Sequence, residues 1–381
     1  MHLAINGYFL SQLTTGSGQY THHLLQELGN LWDGAITVIL PEGVTVDEEL
    51  YGDRVDHHYV KVSLKGHFGK LWFEHVGVPK AAREVDADLL HIPYLGPPLR
   101  SSVPYVVTVH DILQIVAPEL RGGARVQMYN KLALNGAGRA HALLVDSEYT
   151  RQTVLANMRK APDLVHRIYL GVEPYFTPQP NPGETEMLYE RYGIDGPFLF
   201  YLGGLDWRKN VSFLIRAYAH SGAMLPLVIT GRPRSDNEKS FPDLERVVNE
   251  FGLGNKVRFI GWVPEADKPA LYRAATLFIF PSLYEGFGLP PLEAQACGTA
   301  VLCSNTTSLP EVVGEAALLF DPTNEIALAD LIQQATSDSD LRTALRIAGA
   351  DHAQRFTWRR TAQETLAVYH QVLGVKEAVV G

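Results

Sequence analysis

The sequence predicts an α/β protein of two domains, each a parallel sheet with helices on both faces. Three observations carry this. Short apolar, β-rich runs alternate with amphipathic helical patterns along most of the chain, the rhythm of parallel sheets covered on both sides. The rhythm breaks once, between Gly171 and Pro197, where Pro174, Pro178, Pro180, Pro182 and Pro197 mix with glycines and acidic residues, a linker composition. The 381 residues exceed the usual single α/β domain and suit two.

In order, the first half reads as strands at 3–6, 36–40, 88–92, 105–109, 142–145 and 167–170. Between the first two, 18–29 sets Tyr20, Leu24, Leu25 and Leu28 on one helical face; a further helix is predicted over 71–83. After the break come strands at 198–202, 227–230, 257–260, 277–280, 300–303 and 317–320. Residues 211–220 carry Phe213, Leu214, Ala217 and Tyr218 at helical spacing, and 338–353 and 361–373 read as terminal helices. The expected domains are 1–172 and 173–360, with a helix over about 361–381 packing back on the first.

Composition narrows the class. With 46% hydrophobic and 20% charged residues the chain reads as soluble and globular. No apolar run approaches the roughly 20 residues of a membrane span. The start lacks the basic and apolar regions of a signal peptide, so a cytoplasmic location is expected. Cys297 and Cys303 read as small buried residues in a reducing compartment. A net charge of −9 argues against general nucleic-acid binding, so any phosphate must be held by local groups.

Four segments carry chemistry. The run from Phe280 to Gly298 reads as strand, glycine loop and helix, with Pro290 and Pro291 in the first turn and Gly298 as the stop. Its helix N-terminus is an anion site, with Glu285 in the loop and Glu293 about one turn into the helix. Gly203 to Asn210 follows a strong strand and sets Arg208 and Lys209 at its tip, before a helix with Asn210 as its cap. The strand 105–109 delivers His110 beside Asp111 at its carboxyl end. Gly16 and Gly18 sit in a glycine loop opening a helix; Thr21 stands where a dinucleotide fingerprint wants a third glycine, which argues against NAD. Asp86-Ala87-Asp88 has the Asp-x-Asp form of some metal-dependent enzymes but precedes a strand, away from its reacting end. No His/Cys cluster has zinc spacing, and no metal is expected.

Together these segments resemble the retaining GT-B glycosyltransferases of glycosyltransferase family 4, from Gly7 to Tyr369. The 280–298 run is similar to that family's Glu-x7-Glu signature, and Arg208-Lys209-Asn210 to its diphosphate element. His110 resembles its active-site histidine and Gly16-Ser17-Gly18 its N-terminal glycine loop, with Ser17 in place of an apolar residue. Val145 to Thr150 resembles a cleft-mouth element, in which Ser147 reads equally as a helix cap. Gly261 to Pro264 resembles the element whose backbone meets the nucleobase, and 304–311 a following loop and helix.

The resemblance implies two Rossmann-like domains facing across a cleft, 1–172 for the acceptor and 173–360 for the nucleotide-sugar donor, and transfer of a hexose from a nucleotide-diphosphate sugar with retention of configuration. It implies catalytic roles for His110, Glu285, Arg208 and Lys209. Nucleotide-sugar contacts are implied for Gly16, Gly18, Gly204, Val263, Phe287, Gly288, Leu289 and Glu293, with Glu293 on the ribose and Glu285 on sugar hydroxyls. No cofactor is implied, the donor being a substrate. Likeness to mannosyltransferases points to GDP-mannose, with glucose, galactose and N-acetylglucosamine donors left open. The acceptor is expected to be a glycan or lipid-linked glycan of a cell-surface polysaccharide. The alternatives are a GT-B sugar-nucleotide epimerase and a non-catalytic sugar-nucleotide sensor. Residues 61–75 mix Lys61, Lys65 and Lys70 with Phe68, Leu71, Trp72 and Phe73. They read either as a peripheral contact with the inner face of a membrane or as a core-facing helix with a solvated basic edge.

Overall fold

The computed structural model describes residues 1–47, 51, 54–116, 123–232 and 241–375. The chain divides into two compact units, Met1–Gly171 with Thr357–Gly381, and Val172–Phe356. Residues 376–381 of the expected final helix lie outside the described residues.

In the first unit the strands are β1 (His2–Asn6), β2 (Ala35–Pro41), β3 (Val55–Val60), β4 (Leu89–Ile92), β5 (Tyr105–Val109), β6 (Ala142–Val145) and β7 (Val165–Arg167). The helices are α1 (Gly16–Leu31), α2 (Gly66–Trp72), α3 (Val78–Glu84), α4 (Leu113–Val116), α5 (Ala124–Arg139) and α6 (Glu148–Asn157). A π-helical turn, Phe73–Gly77, joins α2 to α3.

The second unit holds β8 (Leu199–Tyr201), β9 (Leu227–Ile229), β10 (Val257–Phe259), β11 (Leu277–Phe280), β12 (Val301–Ser304) and β13 (Leu318–Phe320). Its helices are α7 (Glu184–Tyr192), α8 (Val211–Ser221), α9 (Leu244–Glu250), α10 (Lys268–Ala274), α11 (Leu289–Ala296), α12 (Leu309–Val313), α13 (Glu325–Ser337) and α14 (Ser339–Ala353). The last helix, α15 (Trp358–Leu373), belongs to the first unit.

Both sheets are parallel throughout. Their orders are β3-β2-β1-β4-β5-β6-β7 and β10-β9-β8-β11-β12-β13. The direction of winding reverses between β1 and β4 in one and between β8 and β11 in the other. In open parallel sheets ligands bind outside the carboxyl ends of the strands at such reversals. The strands β4, β5, β6, β8, β9, β11 and β12 are buried at every position, which is why they read as continuous apolar runs. Phe198, Phe200, Phe278 and Phe280 are fully buried with successive ring centroids 5.7–6.0 Å apart. At about 1.5–3 kcal/mol for each such side chain, they fasten β8 to β11 at the reversal of the second sheet.

Three elements depart from the sequence reading. β3 was not anticipated: Asp56, His57 and His58 fill its centre, and only Val55 is buried. It is an edge strand with a wet face, so no apolar run announces it. β7 pairs Val165–Arg167 with Leu143–Val145 and so begins two residues earlier than expected; Ile168 adds one further bond, to the Val145 carbonyl. Asn210 is not a side-chain cap. It has φ +57°, and its amide donates instead to the Pro322 carbonyl at 2.9 Å. The 3₁₀ turn Trp207–Lys209 before it is capped by Asp206.

Helix α15 returns to the first sheet because its buried stripe includes Trp358, Ala362, Thr365 and Tyr369. The Tyr369 hydroxyl reaches His91 Nδ1 at 2.6 Å. Thr361 Oγ1 donates to the Tyr169 carbonyl at 2.7 Å. Cys297 and Cys303 are free and buried; burial pushes the Cys297 thiol up to about 12, the behaviour of an inert core thiol.

Candidate active site

In the second unit the turn after β8 and the loop after β11 meet at the sheet's reversal. Lys209 Nζ donates to Glu285 Oε1 at 2.5 Å and lies 5.5 Å from the Phe280 ring centroid. The two side chains are 16% and 14% exposed. Beside them Arg208 Nε donates to Asp206 Oδ1 at 2.8 Å, and the Arg208 carbonyl accepts from the Leu283 N–H at 2.7 Å. Each cation therefore has its own carboxylate, and the group carries little net charge before an anion arrives. Gly204 lies in the same turn; its carbonyl accepts from the Tyr201 hydroxyl at 2.6 Å.

The loop after β12 holds the Glu285 loop in place. Thr307 Oγ1 accepts from the Glu285 N–H at 3.1 Å, while Ser308 Oγ donates to the Glu285 and Phe287 carbonyls at 3.0 and 2.6 Å. Gly288 has φ +114°, and a Cβ there would sit 2.6 Å from Leu309 Cδ2, so glycine alone fits. Helix α11 starts directly after it, and its first N–H groups have no intrahelical acceptors. Pro290 and Pro291 fall in that first turn.

Glu293, on the next turn, is 6% exposed. Its Oε2 accepts from the buried Tyr272 hydroxyl at 2.8 Å. Lys268 pairs with Glu265 at 2.6 Å. Burial works against the Lys268 charge, but Glu293 and Glu265 outweigh it and hold its pKa above the ordinary value. Val263 is buried beyond the end of β10, next to Trp262, which is 70% exposed.

The arrangement is a set of cations, carboxylates and helix-end dipoles at one strand reversal, suited to gripping a hydroxyl-rich diphosphate. Residues 190–352 match the family described as glycosyl transferases group 1 and residues 14–176 that described as Glycosyltransferase Family 4. Over 269 residues the chain is 32% identical to O-antigen chain mannosyltransferase B of Escherichia coli, covering 69% of each protein. The chain belongs to glycosyltransferase family 4.

This family 4 enzyme is also 31% identical over 277 residues to the serotype-specific mannosyltransferase WbdA of Escherichia coli, a match spanning 70% of this chain and 33% of that one. Its fold is GT-B: the sucrose-phosphate synthase structure from Thermosynechococcus elongatus superposes with a TM-score of 0.80 at 21% identity, covering 99% of this chain and 100% of that one.

In the first unit of this glycosyltransferase, His110 follows β5. Its Nδ1 is 2.7 Å from Asp146 Oδ2 and its Nε2 3.1 Å from the Pro93 carbonyl. A carbonyl and a carboxylate both accept hydrogen bonds, so this geometry suits a ring that donates from both nitrogens, the imidazolium form. Such a group has no lone pair for base work. Burial alone would lower its pKa; the Asp146 carboxylate, with Asp111 and the Pro93 carbonyl, reverses this and raises it. Beneath lies a neutral relay. His91 Nε2 meets Thr108 Oγ1 at 2.8 Å, and Thr108 donates to the Tyr20 hydroxyl at 3.0 Å. The Tyr20 ring stands edge-on to His110 at 4.9 Å. Burial drives the His91 pKa down to about 3.

The raised folded pKa means the His110–Asp146 pair contributes stability that is full below the unfolded histidine pKa of about 6.5 and is lost as pH rises through the folded value. Asp146→Asn removes the larger raising charge and leaves only Asp111 and the Pro93 carbonyl to oppose burial, so the alkaline limb of kcat should move to lower pH. The melting-temperature gap between wild type and variant should narrow as pH rises. An unmoved limb would mean the charge on His110 does not matter to turnover.

The glycine loop is only half open. A Cβ on Gly18 would lie 2.3 Å from the Gln12 carbonyl, and the Gly18 N–H already donates to the capping Thr15 hydroxyl at 3.2 Å. Gly16 has nothing within 4 Å of a Cβ position and is the glycine that a ligand could approach. Ser147 caps α6 by accepting from the Thr150 N–H at 3.0 Å. Asp88 Oδ2 accepts from the His2 N–H at 2.7 Å and Asp86 sits in a turn at φ +52°, so both serve strand entry. Asp206, Asp146, Tyr272, Lys268 and Thr307 had no role in the sequence reading. Asp206, Asp146 and Thr307 stood inside quoted segments; Tyr272 and Lys268 gave no local signal.

Proposed function

We propose that this enzyme transfers a hexose, mannose in our reading, from a nucleotide-diphosphate sugar to a glycan or lipid-linked glycan of a cell-surface polysaccharide. The proposed transfer retains configuration and uses side-chain cations in place of a metal. The observation that carries it is the Lys209–Glu285 pair, with Arg208 beside it and the N-terminus of α11 next to it along the loop. Cleavage of the glycosidic bond puts negative charge on the departing β-phosphate and positive charge on the sugar ring. Arg208, Lys209 and the helix dipole are preorganised for the first, the electrostatic route that usually contributes most to catalysis. In this reading a bound diphosphate draws Arg208 and Lys209 from Asp206 and Glu285, which frees Glu285 to accept from sugar hydroxyls. Glu293, held by Tyr272, takes the ribose. His110, as an imidazolium, donates rather than abstracts, and the departing phosphate receives the acceptor's proton.

Similarity to the two named mannosyltransferases supports mannose. Among the described residues no group of three or more His, Cys, Asp or Glu is placed to hold a metal, and no helix is long and apolar enough to cross a membrane. Leu64 and Phe68 are 51% and 67% exposed near Lys61 and Lys65, which supports a peripheral membrane contact. Thermal shift with GDP-, UDP- and ADP-sugars, with and without EDTA, tests the proposal. GDP-mannose at 100 times Kd should stabilise the fold by about 2.7 kcal/mol, unchanged by EDTA, and the product should keep the donor's anomeric configuration by NMR. Loss of turnover in EDTA, or an inverted product, would sink this mechanism.

A further inference from the structure

The relay beneath His110 does not stop at Tyr20. It starts and ends on α15, and one carbonyl sets the direction of every bond in it. Thr365 Oγ1 donates to the Thr361 carbonyl at 2.7 Å. A hydroxyl has a single proton, so in the hydrogen bond between Tyr20 and Thr365 the donor is Tyr20. The Tyr20 oxygen must then receive the Thr108 proton, over 3.0 Å. Thr108, its proton committed, accepts from His91 Nε2 at 2.8 Å. Burial keeps His91 neutral, so its lone pair is left on Nδ1, which faces the Tyr369 hydroxyl at 2.6 Å. The Tyr369 O–H donates to it.

All five side chains are buried, and together they join α15 to β4, β5 and α1. The same two helices are fastened again by stacked rings: His23 on Trp358 at 4.8 Å and Trp32 on His370 at 5.8 Å. A buried polar network with every member satisfied rigidifies the groups it joins. The group placed to feel this is His110. Asp146 and the Pro93 carbonyl fix where its two nitrogens point, and the Tyr20 ring stands against it at 77° between planes. Tyr20 is itself pinned at its oxygen from two sides, by Thr108 and Thr365. Phenylalanine would fill the same space, but it would leave the ring without that anchor.

We propose that Tyr20 is a positioning residue for His110, and that α15 sets it through Tyr369, His91, Thr108 and Thr365. This rests on the reading that His110 acts in turnover, and the test keeps the two apart. The full-length chain is labelled with ¹⁵N-histidine and its imidazole signals are recorded by NMR. Wild type should show a neutral His91 protonated on Nε2 and a His110 with two sharp N–H signals. Thr365→Val removes the acceptor, so the relay can run backwards: part of the His91 population should move its proton to Nδ1. In Thr365→Val and Tyr20→Phe the His110 signals should broaden. Misplacing a reacting group by about 1 Å can cost about 100-fold, so kcat should fall at least about fivefold in both, with KM for GDP-mannose unchanged. Thr365→Ser keeps the hydroxyl and should restore the tautomer and the rate. A wild-type His91 protonated on Nδ1 would overturn the directional relay without any variant. Unchanged His110 signals and kcat in both Thr365→Val and Tyr20→Phe, or no rescue by Thr365→Ser, would overturn the positioning role. If His110→Ala turns over as wild type does while the His110 signals still broaden in Thr365→Val, His110 has no part in turnover and its positioning by α15 stands.

Discussion

Lys209→Ala should lower kcat by about 10²–10³-fold, the usual cost of removing one preorganised group that stabilises developing charge. Lys209 is held by Glu285 at 2.5 Å and by the face of Phe280, so its ammonium already stands beside the proposed diphosphate site before substrate arrives and passes from Glu285 to the phosphate by a short shift. Turnover should therefore suffer more than KM. Alanine also strands Glu285, only 14% exposed, without its cation, and a carboxylate left so can disturb the loop by itself. Lys209→Met with Glu285→Gln, measured singly and together, separates the effects. If the loss is only a broken pair, the double variant recovers; if Lys209 acts on the leaving group, kcat stays low in every combination that lacks it. Lys209→Arg should keep part of the activity, since a guanidinium carries the charge in a broader, planar form. A kcat within threefold of wild type for Lys209→Met would remove Lys209 from the leaving-group role.

Glu293→Ala should weaken GDP binding by about 10–100-fold, since hydrogen bonds to a charged group contribute about 1.5–3 kcal/mol. It should also destabilise the free protein. The Tyr272 hydroxyl is fully buried and donates to Glu293, and stranding a buried donor costs about 1–3 kcal/mol. Glu293→Gln keeps an oxygen for Tyr272, so it should recover much of the stability and little of the affinity for a ribose diol. Calorimetric titration with GDP and thermal unfolding of both variants decide the matter. Unchanged nucleotide affinity with a lower melting temperature would make Glu293 a structural partner of Tyr272 and nothing more.

Much of the framework was legible locally. The central strands of both sheets show as apolar runs because positions buried on both faces leave almost no place for polar residues. The start of α11 shows in Gly288 followed by Pro290 and Pro291, because a positive φ and a missing N–H are demands made on single residues. Where the demand came from elsewhere the reading failed. β3 was missed because its partner β2, not its own composition, makes it a strand. Asn210 looked like a cap and is instead a left-handed residue tied to Pro322, 112 positions away.

By itself, then, the sequence determined the alternation of strand and helix, the break near 171–197 and the side chains that stand at the strand ends. Only the tertiary structure decided their partners. Lys209 meets Glu285 across 76 residues and His110 meets Asp146 across 36, while Lys70 gathers rings from positions 8, 9, 94 and 129. The physical reason is that periodicity records which face of an element is buried, whereas strand order selects which loops become neighbours. Strand order is settled by packing across the whole sheet, and no local window of the chain contains it.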